Sequence, residues 1–180
     1  MTDKTWNFDS THAEVAFSAK HLMVSTVRGR FEEVEADVHL DEAHPEQSRV
    51  TARIKAASLN TGTPDRDAHL RSPDFFDVEK YPEIVFQSTR IERKGDDFKL
   101  HGDLTIRDVT KPVVLKGEFS GPVQGPWGGR HVGFELDGEI EREDWGLGWN
   151  VALEAGGVLV SKKIKLHIAA EAMEAAVAAA

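Results

Sequence analysis

Apolar and polar residues alternate with a period of two along most of the chain, and this pattern limits the fold more than any other feature. One run places Val34, Ala36, Val38 and Leu40 on the same side. Comparable runs recur at 15–19, 50–56, 84–86, 98–106, 113–119, 132–140 and 158–168. Because successive side chains of a strand point to opposite faces, the pattern predicts antiparallel strands with one buried and one wet face.

Turn-forming residues separate these runs. Gly, Pro and Asp are concentrated at 94–97, 108–112 and 121–126. Roughly eight strands with regular turns between them predict an all-β domain, either a barrel or a sandwich. One segment, between the third and fourth runs, instead carries the signals of a short helix.

Composition narrows the function classes. The chain has 180 residues, the size of one ordinary domain, and a net charge of −9, which argues against nucleic acid as a partner. It contains no cysteine, so disulfides, thiolate catalysis and Cys-based zinc sites are excluded. We assign residues 1–170 to one β-barrel domain. Residues 171–180 form an Ala-rich tail, expected from Ala172 onward to be a frayed helix or disordered.

The sequence carries no visible targeting or membrane segment. The stretch from Met1 to Trp6 has no apolar core of a secretory signal. No uncharged apolar run approaches the roughly 18 residues that a membrane-spanning helix needs. If Met1 is the natural start, we expect a cytoplasmic protein without a transmembrane segment.

Four glycines fall in phase with the inward positions of their strands: Gly29, Gly102, Gly117 and Gly138. Glycine within a strand marks a sharp bend or a close approach to the backbone. They are explained either as corners of a curved barrel or as positions where absent side chains hollow the interior for a ligand. The sequence leaves both interpretations open.

The helical segment gathers acids, a base and two arginines within a dozen residues. Asp65 and His69 are four residues apart and would share one face of a helix that begins at Pro64. An Asp–His pair serves as an oriented base or as two ligands of a metal. A short helix held by ion pairs is the favoured interpretation, because no nucleophile elbow, HExxH motif or Walker loop accompanies the pair. We predict no catalytic residue, metal site or cofactor.

Several ordered motifs resemble the YceI-like family of polyisoprenoid-binding, lipocalin-like proteins, from about Trp6 to Ala170. The likeness is highly specific because the order and spacing of the motifs match together. The motifs are Asp9-Ser10-Thr11-His12, Val27-Arg28-Gly29-Arg30-Phe31, the segment from Arg66 to Asp77 with Tyr81-Pro82, Gly102-Asp103-Leu104-Thr105-Ile106, Val109-Thr110-Lys111-Pro112-Val113 and Asp144-Trp145-Gly146.

The resemblance implies an extended eight-stranded antiparallel β-barrel with a short helix or two between strands. It also implies an elongated apolar channel that binds a long-chain isoprenoid lipid, and a second copy of the chain as partner, since dimers are common in the family. The ligand classes are a polyprenyl alcohol, a polyprenyl phosphate or an isoprenoid quinone. We expect a carrier, buffer or sensor of such a lipid and not an enzyme.

The alternation and the resemblance together predict two groups of ligand-binding residues. The channel wall is predicted to contain Phe17, Phe31, Ile54, Phe75, Phe76, Phe86, Leu104, Phe119 and Phe134. The channel entrance, or the contact with a polar head group, is assigned to Arg66, Asp67, His69 and Arg71. The alternative hypothesis is a hydrolase or isomerase that acts on a lipid-like substrate through Asp65, Asp67 and His69.

Overall fold

The computed structural model describes residues 4–175, which form antiparallel strands, one α-helix and three short 3-10 helices. The strands are β1 Lys4–His21, β2 Ser25–Phe31, β3 Val34–Leu40, β4 Arg49–Lys55, β5 Leu59–Asn60, β6 Glu83–Lys94, β7 Asp97–Ile106, β8 Val109–Gln124, β9 Arg130–Glu141 and β10 Lys163–Glu174. Helix α1, Pro64–Arg71, lies between β5 and β6. This confirms the predicted all-β class with a short helix.

The strands close into a barrel with eight walls. Consecutive strands β2 and β3 both pair with the long strand β1, so together they form one bent wall. Strands β4 and β5 form the next wall in the same way, pairing with β3 and β2. The remaining strands follow in chain order, and β10 pairs back with β1 to close the barrel. The predicted eight-stranded antiparallel barrel is confirmed.

Strand β7 shows how the alternation produces the core. Phe98, Leu100 and Leu104 are buried, whereas Lys99 and Asp103 between them are exposed. The pleat sends alternate side chains to opposite faces, so the apolar face of each strand turns toward the barrel interior. Burial of that face provides the main favourable term in folding.

The barrel interior has two packed regions. A large cluster of buried apolar residues occupies the middle and the end near α1. A smaller cluster closes the opposite end, around Trp6, Val38, Leu40, Val132 and Ala172. We call these the open end and the closed end of the barrel, respectively.

Two predictions about the last strand are wrong. Ala172 was expected to begin a frayed helix, but β10 continues to Glu174 and Ala172 is 1% exposed. Hydrogen bonds to β1 and β9 and burial at the closed end outweigh the helix propensity of alanine. The run predicted as a strand from Val158 contains only isolated bridges before Lys163. Residues 176–180 lie outside the described part of the chain.

The inward glycines do not hollow the interior. A Cβ atom on Gly29 would lie 2.5 Å from the Phe17 ring, and one on Gly102 would lie 2.3 Å from the Phe86 ring. On Gly117 it would meet backbone atoms, and on Gly138 the side chain of a neighbouring leucine. The interpretation that absent side chains hollow the interior is therefore wrong, because adjacent strands or rings already fill the space that each glycine leaves.

Candidate ligand-binding cavity

A cavity of about 570 Å³ lies inside the barrel, and its walls are almost entirely aliphatic and aromatic. It reaches from the closed end, near Phe8, to the open end, where the exposed residues Lys20 and Asp65 line it. Ligand pockets for small molecules commonly have volumes of about 300–1,000 Å³. The structure places these predicted wall residues on the cavity: Phe17, Phe31, Ile54, Phe75, Phe76, Phe86, Leu104 and Phe134.

Phe119, which was also predicted to lie in the wall, is not among the residues that line the cavity. Its ring lies 5.4 Å from that of Phe134 and 4.8 Å from the Arg93 guanidinium. It packs against the core cluster at the closed end. Phe119 lies opposite Phe134 in the register of β8 and β9, although the Phe134 side chain does line the cavity.

Several wall residues escaped the sequence analysis as candidates. Those on strands obey the same alternation and were therefore predictable, including Val15, Ala36, Ala52, Leu166 and Ile168. Trp149 and Leu159 also line the cavity but belong to the loop between β9 and β10. The aromatic segment around Trp149 was noticeable in the sequence, although its position was not.

Aromatic rings cluster at the open end of the cavity. The ring of His69 meets the Trp149 ring edge-to-face at 4.5 Å and the Phe75 ring at 5.1 Å. The rings of Phe31 and Phe76 make a similar contact at 5.8 Å. Edge-to-face pairs of this kind are favourable beyond the area they bury. Helix α1 and the loop before β10 are thereby joined across the cavity mouth.

The segment before α1 is held by two of the predicted entrance residues. The buried Asp67 carboxylate accepts hydrogen bonds from the backbone N–H and the hydroxyl of Thr61. The Arg66 guanidinium donates to the Thr61 hydroxyl at 2.7 Å and to its carbonyl oxygen at 2.8 Å. Arg66 lines the cavity, whereas Asp67 does not.

Arg71 points away from the cavity. Its guanidinium donates to the carbonyl oxygens of Ala57 at 2.9 Å and Leu59 at 2.7 Å. These bonds attach the end of α1 to the segment that joins β4 and β5. Arg71 and Asp67 therefore order the structure around the entrance and have no surface on the cavity itself.

Of the three residues of the enzymatic alternative, Asp65 and His69 line the cavity and Asp67 does not. His69 pairs through Nε2 with Asp74 at 2.9 Å, and Asp67 is bound to Thr61. Asp65 is exposed on the first turn of α1. Within residues 4–175, His69 makes no hydrogen bond to a hydroxyl group. His69 and Asp67 thus each bond a partner other than the one that the enzymatic alternative gives them.

A buried arginine that the sequence analysis missed fixes the loop over the open end. The Arg142 guanidinium donates to the carbonyl oxygens of Ser161 and Trp149, each at 2.9 Å, and also to that of Leu147. Desolvation lowers the pKa of Arg142 below its ordinary value. The acceptors belong to an irregular loop, so nothing in the local sequence pattern points to them.

A cluster of polar residues lies at the barrel seam, where pairing between β1 and β10 is interrupted after Asp9. The Asp9 carboxylate binds His12 Nδ1 at 2.8 Å and the hydroxyl of Thr11. A carboxylate oxygen of Glu171 lies within 4.8 Å of both the Asp9 and the His12 ligand atoms, and Glu171 also bonds His131. The predicted absence of a metal site stays a prediction.

The barrel and its cavity define the class of protein. An eight-stranded antiparallel barrel around an apolar interior is the architecture of lipocalin-like proteins, which hold one small ligand. In the described part of the chain, no helix is long and apolar enough to cross a membrane. The cytoplasmic location stays a prediction.

The chain belongs to the YceI-like domain family, whose pattern matches residues 6–172. It is 36% identical over 166 residues to protein YceI of Escherichia coli O157:H7, covering 92% of this chain and 84% of that relative. The structure of the YCEI protein of Campylobacter jejuni is 34% identical, with a TM-score of 0.75, and the match covers 87% of this chain and 90% of that one. The resemblance stated from the motifs is confirmed.

A polyisoprenoid-binding domain from Saccharophagus degradans has the same fold. The TM-score is 0.68 at 13% identity, with 96% of this chain and 99% of that chain covered. At that identity the comparison supports the barrel architecture only. The family and the fold indicate a ligand-binding barrel. Neither of them identifies the ligand of this chain.

Proposed function

We propose that the protein binds a long-chain isoprenoid lipid in the barrel cavity and acts as its reversible carrier. The observation that carries the proposal is the cavity of about 570 Å³ with an almost wholly apolar wall. An apolar cavity favours a hydrocarbon chain over a polar metabolite, because a polar group left inside it without a partner loses its hydration. The homodimer implied by the resemblance stays a prediction.

Energetics favour a carrier over permanent storage. Each CH₂ group moved from water into the cavity contributes about 0.8 kcal/mol, so a long chain strongly prefers the protein to water. A bilayer is equally apolar, and the net free energy of moving the same chain from bilayer to cavity is therefore small. Exchange between the two is expected to be reversible.

The polar residues that line the cavity carry charges of both signs. Arg66 and Arg142 line the cavity, but both donate hydrogen bonds to neutral oxygens of the protein. The carboxylates of Asp65 and Glu171 line it as well and would repel an anion. Lys20 at the open end lines the cavity as well and would attract an anion, so a polyprenyl alcohol, an isoprenoid quinone and a polyprenyl phosphate all stay ligand classes of the proposal.

The test uses native mass spectrometry of protein offered a polyprenol, a quinone and a polyprenyl phosphate. Ala52→Phe places a ring where a small side chain now lines the cavity, and we expect it to abolish binding. Ala57→Phe is the matched control, because Ala57 is exposed and does not line the cavity. Binding of none of the three lipids to the wild type, or full binding to Ala52→Phe, would contradict the proposal.

A further inference from the structure

The turn between β1 and β2 exposes three apolar side chains in a row. Leu22 is 43% exposed, Met23 66% and Val24 83%. We call these three residues the mouth tip. Large apolar side chains at the end of a hairpin lose the stabilisation that burial would give them, so folding alone does not account for them.

The backbone of the mouth tip is also unfavourable for its residues. Leu22 has a φ of 51° and Met23 a φ of 61°, in the left-handed region. Hairpin turns of this conformation favour Asn and Gly, which adopt positive φ at little cost. Strain combined with exposed apolar area marks a segment with a role outside folding.

The mouth tip adjoins the open end of the cavity. Lys20 and His21, which directly precede it, both line the cavity. The backbone N–H of Leu22 donates to the carbonyl oxygen of Leu159 at 2.9 Å, and Leu159 is another cavity residue. A group that contacts the mouth tip therefore stands beside the cavity entrance.

We propose that the mouth tip inserts into the surface of a lipid bilayer, so that the ligand passes between the bilayer and the cavity. This inference rests on the proposed function, because an isoprenoid lipid resides in a membrane before the protein takes it. Three side chains offer far less area than the roughly 800 Å² per partner of a stable protein interface. They suffice for shallow, transient insertion of an apolar segment.

Charge predicts that the contact is weak and reversible. The net charge of −9 opposes attraction to anionic lipids. Lys20 lies just before the mouth tip, and its exposed ammonium group donates to the Thr26 hydroxyl at 2.9 Å. When the tip is inserted, this ammonium group would lie at the level of the lipid head groups. Brief binding through apolar insertion suits a carrier that must leave the membrane with its ligand.

The test variant replaces the apolar tip with residues that suit its backbone, Leu22→Asn together with Met23→Gly. We expect an equal or higher melting temperature and unchanged binding of a polyprenol supplied in detergent. Co-sedimentation with vesicles of phosphatidylcholine and phosphatidylglycerol, and polyprenol transfer between such vesicles, should fall about tenfold or more, as expected when two apolar side chains no longer leave water.

The matched control is Trp127→Ser. Trp127 is 97% exposed in the turn between β8 and β9, at the closed end, and its loss should leave vesicle binding unchanged. Equal vesicle binding by the tip variant and the wild type, or loss of binding in Trp127→Ser, would overturn the inference. So would a tip variant that changes only the oligomeric state measured by light scattering, since a second copy would then be the occupant.

The two proposals fail in different ways. If the wild type holds the polyprenol while the tip variant transfers it at the wild-type rate, the membrane inference alone is wrong. If the wild type binds no isoprenoid lipid in detergent, the proposed function is wrong, and the transport role of the tip is overturned with it.

Discussion

The Asp67 carboxylate accepts two hydrogen bonds from Thr61, one from the backbone N–H at 2.9 Å and one from the hydroxyl at 2.5 Å. Asp67 is 7% exposed, so water does not replace these bonds when they are broken. The pair connects α1 to the end of β5 and so determines where the helix lies relative to the cavity mouth.

Asp67→Ala should lower the free energy of unfolding by about 2 kcal/mol, the usual cost of losing charge-assisted hydrogen bonds to a buried group. Urea denaturation followed by circular dichroism measures the change. Asp65→Ala is the control, because Asp65 is exposed on the same helix and its loss should cost less than about 0.5 kcal/mol. Equal losses in the free energy of unfolding for the two variants would show that the contact between Asp67 and Thr61 does not stabilise the fold beyond the effect of an exposed aspartate.

Gly29→Ala should destabilise the barrel by about 1–3 kcal/mol, as overpacking does. The new Cβ atom would lie 2.5 Å from the Phe17 ring and 2.9 Å from the Thr61 methyl group. Gly148→Ala serves as the control, since a Cβ atom there meets nothing within 4 Å and should cost no stability. The combination of Gly29→Ala with Phe17→Leu should recover part of the loss; strictly additive losses in thermal denaturation would refute the predicted clash.

Arg142→Met should lower the free energy of unfolding by about 3 kcal/mol or more, because several carbonyl oxygens lose their donor in a buried place. Hydrogen exchange should accelerate throughout the loop at residues 147–162. Arg30→Met is the comparison: Arg30 forms an exposed ion pair with Glu32 and should contribute less than about 1 kcal/mol. Unchanged exchange in the loop would mean that other contacts hold it.

The pair of His12 and Asp9 should make stability depend on pH. The hydrogen bond that Asp9 accepts from His12 raises the pKa of His12 above 6.5, so this contribution is complete below pH 6.5 and is lost as the pH rises through the raised pKa. The bond from His12 lowers the pKa of Asp9 below 3.8, so its contribution is present above pH 3.8 and is lost as the pH falls. The pair is therefore most stabilising between these two values.

His12→Gln provides the measurement for this pH dependence. The difference in melting temperature between the wild type and the variant should be largest between about pH 4 and 6.5 and should shrink on either side. Asp9→Asn removes the same interaction and should give a similar profile. A difference that stays constant from pH 4 to 9 would rule out the assigned ionisation.

The alternation of side chains along the strands made most of the cavity wall predictable. A period of two assigns each residue to the inside or the outside, and Phe17, Ile54 and Leu104 were placed on the correct face for this reason. Alternation does not separate Phe119 from its register partner Phe134, although only the second of these two lines the cavity. The inward glycines were ambiguous because their function depends on a neighbouring strand.

The entrance was less predictable, because its geometry depends on irregular segments. The helical spacing correctly predicted α1, but it paired His69 with Asp65, whereas His69 bonds Asp74 beyond the end of the helix. Arg142 binds carbonyl oxygens of a loop with no periodic pattern. Side chains that bind backbone atoms of distant segments leave no signal at a fixed spacing.

Strand β10 closes the barrel by pairing with β1, and Trp6 lies opposite Glu174. These contacts join residues separated by nearly the whole chain, and contacts of such long sequence separation form late and slow folding. On the ribosome, the wall cannot close until β10 has emerged, long after the first seven walls are available to pair. Until β10 is available, we expect the other strands to form an open sheet whose apolar face is exposed to aggregation.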